Sequence, residues 1–139
     1  MNSNFTELLI IDDDCCHNIL CALALKKIFR TSNVNMTCFT NSEEGLAYIM
    51  QSAMSSKKTL LFIDVNMPRL NGWQILARLE QLPKTLTKHL DVYILTTTPN
   101  MRDEYRALKS SLVKQYLQKP ISNHLHSIFA GQPLQLSVA

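Results

Sequence analysis

The chain has 139 residues, of which 46% are hydrophobic and 18% charged, and its formal net charge is +3. That length fits one domain with a real core. The composition excludes a disordered chain, and so small a charge gives no argument for direct contact with nucleic acid. Residues 1–7 lack the basic stretch of an export signal, and the longest fully apolar run, 19–25, is far short of the ~20 residues of a membrane span. A cytoplasmic protein without a membrane span is expected.

Leu8, Leu9, Ile10 and Ile11 form an unbroken apolar run. A run apolar at every position predicts a strand buried on both faces. It ends in Asp12, Asp13 and Asp14. Residues 18–29 are helical in composition, with Ile19, Leu20, Leu23, Ala24, Ile28 and Phe29 apolar. Just before them, Cys15, Cys16 and His17 are adjacent, which is poor spacing for one metal ion. They read as small helix residues, and with Cys21 and Cys38 they fit a reducing compartment.

Val34, Met36 and Cys38 alternate over 33–40 and predict a second strand. Ser42 as N-cap, with Glu43 and Glu44 in the first turn, predicts a helix to about Ala53. Leu60, Leu61, Phe62 and Ile63 then run to Asp64, and Pro68 and Gly72 enforce a loop. Residues 73–82 are amphipathic, with Trp73, Ile75, Leu76 and Leu79 on one side, until Pro83 disrupts the pattern. A fourth strand over 92–96 ends at Thr96. A helix follows over 101–110, and a fifth strand over 112–117 runs into Lys119 and Pro120. A short helix over 122–129 closes the pattern; the tail 130–139 has none. No repeat or linker divides residues 1–139, so one domain is expected, with its core at about 7–129.

Strand and helix alternate five times. This predicts an α/β fold with a parallel sheet, right-handed crossovers and helices on both faces. All strand carboxyl ends then share one edge, where ligands bind in open α/β sheets. Asp12 and Asp13, Asp64, Thr96 and Lys119 come to that edge from four strands. Any one of them alone has an ordinary reading: a cap or turn acid, a strand-end hydroxyl, a solvated cation. Together, three carboxylates repel unless a cation joins them. Mg²⁺ suits such oxygen ligands. One carboxylate can then act as a nucleophile on a phosphoryl group, with the lysine and hydroxyl holding its oxygens.

On these residues the chain resembles the receiver domains of two-component response regulators, of the single-domain chemotaxis-regulator kind. The resemblance covers roughly 7–129. It rests on Ile11-Asp12-Asp13-Asp14, on Asp64-Val65-Asn66-Met67-Pro68-Arg69-Leu70-Asn71-Gly72, on Leu95-Thr96-Thr97 and on Lys119-Pro120. It implies a flavodoxin-like (βα)5 doubly wound fold with strand order 2-1-3-4-5. It implies that Asp64 accepts a phosphoryl group from a histidine kinase or a histidine phosphotransfer protein. Asp12, Asp13, Asp64 and the Asn66 carbonyl would hold Mg²⁺ (or Mn²⁺), with Asp13 and Asp64 as direct ligands and Asp12 acting through water. Thr96 and Lys119 would bind the phosphoryl oxygens, and Thr96 and Tyr116 would form the switch. An unnamed downstream protein would read it, since no output domain is present. A monomer or weak dimer is expected because the last helix is short. Asp14 lengthens the usual acidic pair and reads as an exposed residue at the start of the first helix, and Pro99 stiffens the loop after Thr96.

Two other readings stand beside this one. Haloacid-dehalogenase-like phosphatases also use an aspartyl-phosphate, Mg²⁺, a Thr and a Lys, but need acidic ligands after the Lys. Here no Asp or Glu follows Glu104. A phosphorylation-inactive receiver-like binding module would lack an acid or the Lys; this chain has them all.

Overall fold

Five strands form one parallel sheet, in the order β2-β1-β3-β4-β5. The coordinates are a computed structural model describing residues 6–29, 33–55 and 57–129. The strands are β1 Glu7–Ile11, β2 Asn35–Phe39, β3 Thr59–Asp64, β4 Leu90–Thr96 and β5 Val113–Gln118. β1 and β3 are buried at every position, as their unbroken apolar runs require. The edge strands β2 and β5 mix buried or half-buried positions with exposed ones.

Between the strands lie α1 (Cys15–Phe29), α2 (Ser42–Ala53), α3 (Gly72–Glu80), the one-turn α4 (Lys84–Thr87) and α5 (Met101–Leu108). After β5 come a 3-10 turn, Ile121–His124, and a single-turn α6, Leu125–Ile128. Alternate side chains of β1 and β3 feed two cores. Leu9, Ile11, Leu61 and Ile63 pack with Leu46, Ile49, Ile75, Leu79 and Ala107 under α2, α3 and α5. Leu8, Ile10, Leu60 and Phe62 pack with Cys21, Leu25, Ile28, Ile121, Ile128 and Phe129 on the other face. The expected doubly wound α/β sheet is therefore present.

Several local expectations change. α1 starts three residues early, because the Asp14 carboxylate accepts the Cys16 and His17 amides at 3.0 and 3.2 Å, as an N-cap does. α2 is capped by Asn41, whose side chain accepts from the Glu44 amide at 3.0 Å. Ser42 is instead the first helical residue, and its hydroxyl ties down the 65–71 loop. Pro83 does not simply end the preceding helix; it leads into α4. The last helix is split into the 3-10 turn and α6. The tail 130–139 lies outside the described residues.

Candidate functional site

The parallel register sets the strand ends side by side. Ile11 is level with Ile63, Asp64 with Leu95, and Thr96 with Gln118. The residues that follow each strand therefore open onto one edge. One carboxylate oxygen each from Asp12, Asp13 and Asp64 lies within 4.8 Å of the others. Asp12 and Asp64 are buried and Asp13 is exposed, so the cluster has a dry floor and a wet rim.

Lys119 reaches into this floor. Its Nζ stands 2.6 Å from Asp12 Oδ2 and 3.3 Å from Asp64 Oδ1, with the side chain only 10% exposed. The sequence alone allowed a solvated loop cation; the fold makes Lys119 the counter-charge of the two buried acids. Its backbone is fixed as well, since the Lys119 amide donates to the Thr96 carbonyl at 2.9 Å.

The two buried acids differ sharply. Burial pushes Asp12 up, but His17, Lys119 and the Asp14 amide outweigh it and hold the carboxyl below the usual range. Asp64 is pushed up to about 6, first by burial and then by the charge on Asp12; Lys119 offsets this only in part. Burial also opposes the charge on Lys119, but its contacts with Asp12 and Asp64 prevail and raise it. Three carboxylates facing one ammonium leave negative charge in excess. An oxygen-lined pocket of that sign fits a hard divalent ion such as Mg²⁺.

The loop after Asp64 is built to stay close. The Val65 amide donates to the Leu95 carbonyl at 3.0 Å and the Gly72 amide to the Val65 carbonyl at 2.9 Å. Met67 is buried, while Asn66, Pro68 and Arg69 are exposed. Arg69 takes a left-handed backbone, φ 68°, which is unfavourable by roughly 1–2 kcal/mol for a residue with a Cβ. The Ser42 hydroxyl donates to the Pro68 carbonyl and accepts from the Leu70 amide, both at 3.1 Å. It thereby clamps this turn to the start of α2.

Thr96 is buried, and its Oγ1 accepts the Thr98 amide at 3.1 Å. Tyr116 lies farther along the edge, half-buried, its hydroxyl accepting the Asn100 amide at 3.3 Å. Asn100 in turn caps α5 by accepting the Asp103 amide at 2.8 Å.

Asp14 is exposed at the start of the first helix, as its place in the sequence suggests, and it caps α1. One contributor was missed in the sequence. His17, read there as a small helix residue, is buried with its Nδ1 2.7 Å from Asp12 Oδ2. Its position was legible: His17, Cys21, Leu25 and Ile28 repeat at helical spacing on the inner face of α1.

Comparison with known proteins agrees with this geometry. The family model described as the response regulator receiver domain matches residues 8–128. The chain belongs to that family. As a receiver domain it is a component of two-component signalling rather than a conventional enzyme. A two-component response regulator from Cytophaga hutchinsonii superposes with a TM-score of 0.78 at 22% identity, covering 91% of this chain and 96% of that one. A response regulator receiver domain from Rhodospirillum rubrum gives 0.72 at 25% identity, covering 88% and 90%. An uncharacterised 14.6 kDa protein from Leptolyngbya boryana is 29% identical over 115 residues, covering 83% of this chain and 79% of its own. No helix among the described residues of this receiver domain is long and apolar enough to cross a membrane.

Proposed function

We propose that this receiver domain takes a phosphoryl group on Asp64 from the phosphohistidine of a kinase or phosphotransfer protein, and that the charged form switches a downstream contact. The observation that carries the reading is the meeting of Asp12, Asp13 and Asp64 in one cluster, with the Lys119 ammonium against Asp12 and Asp64. An Asp64 oxygen attacks phosphorus, the new O–P bond forms as the N–P bond breaks, and the departing imidazole nitrogen keeps the electron pair and takes a proton. The high pKa of Asp64 marks a carboxylate that gains from sharing its charge with a neighbouring cation or phosphorus centre.

Asp13 and Asp64 are the direct metal ligands in this reading, with the Asn66 carbonyl. Both oxygens of Asp12 are already engaged, Oδ1 by the Asp14 amide and Oδ2 by Lys119 and His17. That supports Asp12 acting through water. Bound Mg²⁺ or Mn²⁺ supplies positive charge beside the attacking carboxylate and the phosphoryl oxygens. Lys119 pairs with the transferred group, and Thr96 turns its hydroxyl from the Thr98 amide toward it. Tyr116 follows.

The whole chain 1–139 acts as one cytoplasmic domain, monomeric or weakly dimeric, with a protein as its output partner. Incubation with acetyl phosphate and Mg²⁺, read by intact mass, tests the central claim. One phosphoryl adduct is expected on the wild type and none on Asp64→Asn or on protein held in EDTA. Full labelling of the Asn variant would sink the reading.

A further inference from the structure

The fold sorts the charges of this domain between the two edges of its sheet. Asp12, Asp13, Asp14 and Asp64, with Glu43 and Glu44 in the first turn of α2, stand at the carboxyl edge. Lys57 and Lys58 lead into β3, Lys84 opens α4, Lys88 follows it, and Lys114 is the second residue of β5. These lysines stand at the opposite edge, where the strands start. Cations in the last turn of a long helix, such as Lys26 and Lys27 of α1, answer its dipole. Lys58 and Lys114 lie in a connection and a strand, and Lys84 sits at the wrong end of its helix for that role.

Acids do not balance this edge. Asp91 is shared, with Lys58 Nζ 3.1 Å and Lys114 Nζ 3.9 Å from its Oδ1. Glu7 is buried, and its two oxygens accept from the Tyr48 and Ser52 hydroxyls at 2.5 and 2.8 Å, so its charge is turned into the fold. Lys57, Lys84 and Lys88 are exposed and form no ion pair among the described residues, nor does Glu80 at the end of α3. The Lys88 amide donates to the Lys84 carbonyl at 3.0 Å, which sets two like charges one turn apart. Lys57 adjoins α4 through Leu86 and His89, with which it lines one small cavity. Like charges so placed repel and gain from an anion outside the fold.

The kind of anion follows from the residues present. Protein interfaces are enriched in arginine and aromatic rings and depleted in lysine. Nucleic acids are gripped by guanidinium forks and by stacked aromatic rings. The segments 54–59, 81–90 and 109–114 around these lysines contain no Arg, Phe, Tyr or Trp. Ammonium groups on flexible stems suit a surface whose charge is dense but not fixed in place, which anionic lipid headgroups provide. Met54, 74% exposed after α2, adds an apolar tip. We propose that this amino edge docks the domain on an anionic lipid surface. The same surface repels the acids of the carboxyl edge, so the candidate site is held facing the solution. None of this depends on which residue accepts a phosphoryl group.

The tests use the full chain and vesicles of phosphatidylcholine containing one-third phosphatidylserine. Cosedimentation at low salt should show binding that high salt abolishes and that vesicles of phosphatidylcholine alone do not give. Lys84→Gln with Lys88→Gln should weaken the partition about thirtyfold, equivalent to about 2 kcal/mol. Arg69→Gln with Arg102→Gln removes the same charge from the carboxyl edge and should weaken it less than about threefold. Lipids with a paramagnetic headgroup should broaden the amides of 54–59, 84–90 and 113–115 and spare those of 12–18 and 64–72. Absence of binding at low salt, equal losses for the two double variants, or broadening centred on the carboxyl edge would each overturn the proposal. So would tighter binding to duplex DNA or to poly-glutamate than to these vesicles at equal charge concentration, which would mark the edge as one for nucleic acid or for an acidic protein.

Discussion

A methyl group on Gly72 would stand 2.6 Å from the backbone oxygen of Asp64 and 3.0 Å from the Val65 Cα. The start of α3 is thus pressed against the end of β3, and only a residue without a Cβ permits it. This contact closes the 65–71 loop over Met67 and presents Asn66 at the rim of the acid cluster.

The substitution Gly72→Ala sets two effects against each other. Alanine gains up to about 1 kcal/mol of helix propensity. The clash is with backbone, which cannot rotate away, and overpacking of that kind is unfavourable by roughly 1–3 kcal/mol. The clash should win. Urea denaturation is expected to show a net loss of stability, and labelling by acetyl phosphate should slow as Asp64 is displaced. A stabilised variant would mean that the loop relaxes freely.

The high pKa of Asp64 gives a second test. Its carboxyl titrates near 6 in the folded protein against 3.8 unperturbed, with burial the first cause and Asp12 the second. The folded state holds this proton more tightly than the unfolded chain does. The contribution of Asp64 to stability therefore falls as pH rises from about 4 to about 6, and the full penalty stands above that range. Two units correspond to roughly 3 kcal/mol. In EDTA, Asp64→Asn should be more stable than the wild type by about 2–3 kcal/mol near pH 7, and the advantage should shrink toward pH 4. Denaturation at both pH values checks it; an equal gain at both would show a packing effect instead.

How far the sequence reaches depends on which force decides each element. β1 and β3 were legible because a sheet covered on both faces demands apolar residues at every position. Asp12, Asp64 and Lys119 were legible because parallel strands place their ends on one edge. Ser42 was not, since Asn41 and Ser42 are equally good caps locally. The choice is made by Pro68 and Leu70, more than twenty residues away. α4 was hidden because Pro83 after an amphipathic run reads locally as a breaker, although proline also suits a helix start. His17 was hidden by its company: beside two cysteines it looked like filler, and only the fold brings its ring to Asp12.

Loss of phosphate should be quick, on a scale of minutes rather than days. Asn66 and Thr98 flank the acceptor loop and the Thr96 turn, and both are exposed. Neither is a bulky apolar side chain that would keep water from the acyl phosphate. Asn66→Leu should lengthen the lifetime severalfold, since it leaves the Asn66 carbonyl in place and adds an apolar screen. The decay of the phosphoprotein, followed by intact mass in Mg²⁺ buffer, measures both. A wild-type adduct that survives a day would contradict the prediction.

The last prediction concerns how the charge event leaves the pocket. Thr96 and Tyr116 are linked through the 96–100 loop: Thr96 Oγ1 accepts the Thr98 amide, and the Tyr116 hydroxyl accepts the Asn100 amide. If Thr96 turns toward a phosphoryl group, it releases Thr98 and opens space behind the loop. Tyr116 can fill that space only by giving up Asn100, the cap of α5. A local change in charge thereby biases a two-state element. The face it controls is chemically distinct. Met101, Tyr105 and Leu108 are exposed on α5 at 88%, 67% and 53%. Arg102, Arg106 and Lys109 share this helix or its end with Asp103 and Glu104, Lys109 lies over the Tyr105 ring and Arg106 over Trp73 at 4.5 Å, and Lys114 on β5 reaches Asp91. An apolar stripe with more cations than acids on and after its helix suits an amphipathic partner surface of net negative charge, and binding should show a salt-dependent on-rate. Tyr116→Ala should leave Asp64 labelling intact while uncoupling it from partner binding. Tyr116→Phe removes only the bond to Asn100, worth roughly 0.5–1.5 kcal/mol. It should therefore raise the affinity of the unphosphorylated form severalfold. Amide spectra with and without beryllofluoride decide the matter. Shifts are expected from 96 to 118 and across α5. Silence there, with the pocket occupied, would mean that Tyr116 is an ordinary strand residue.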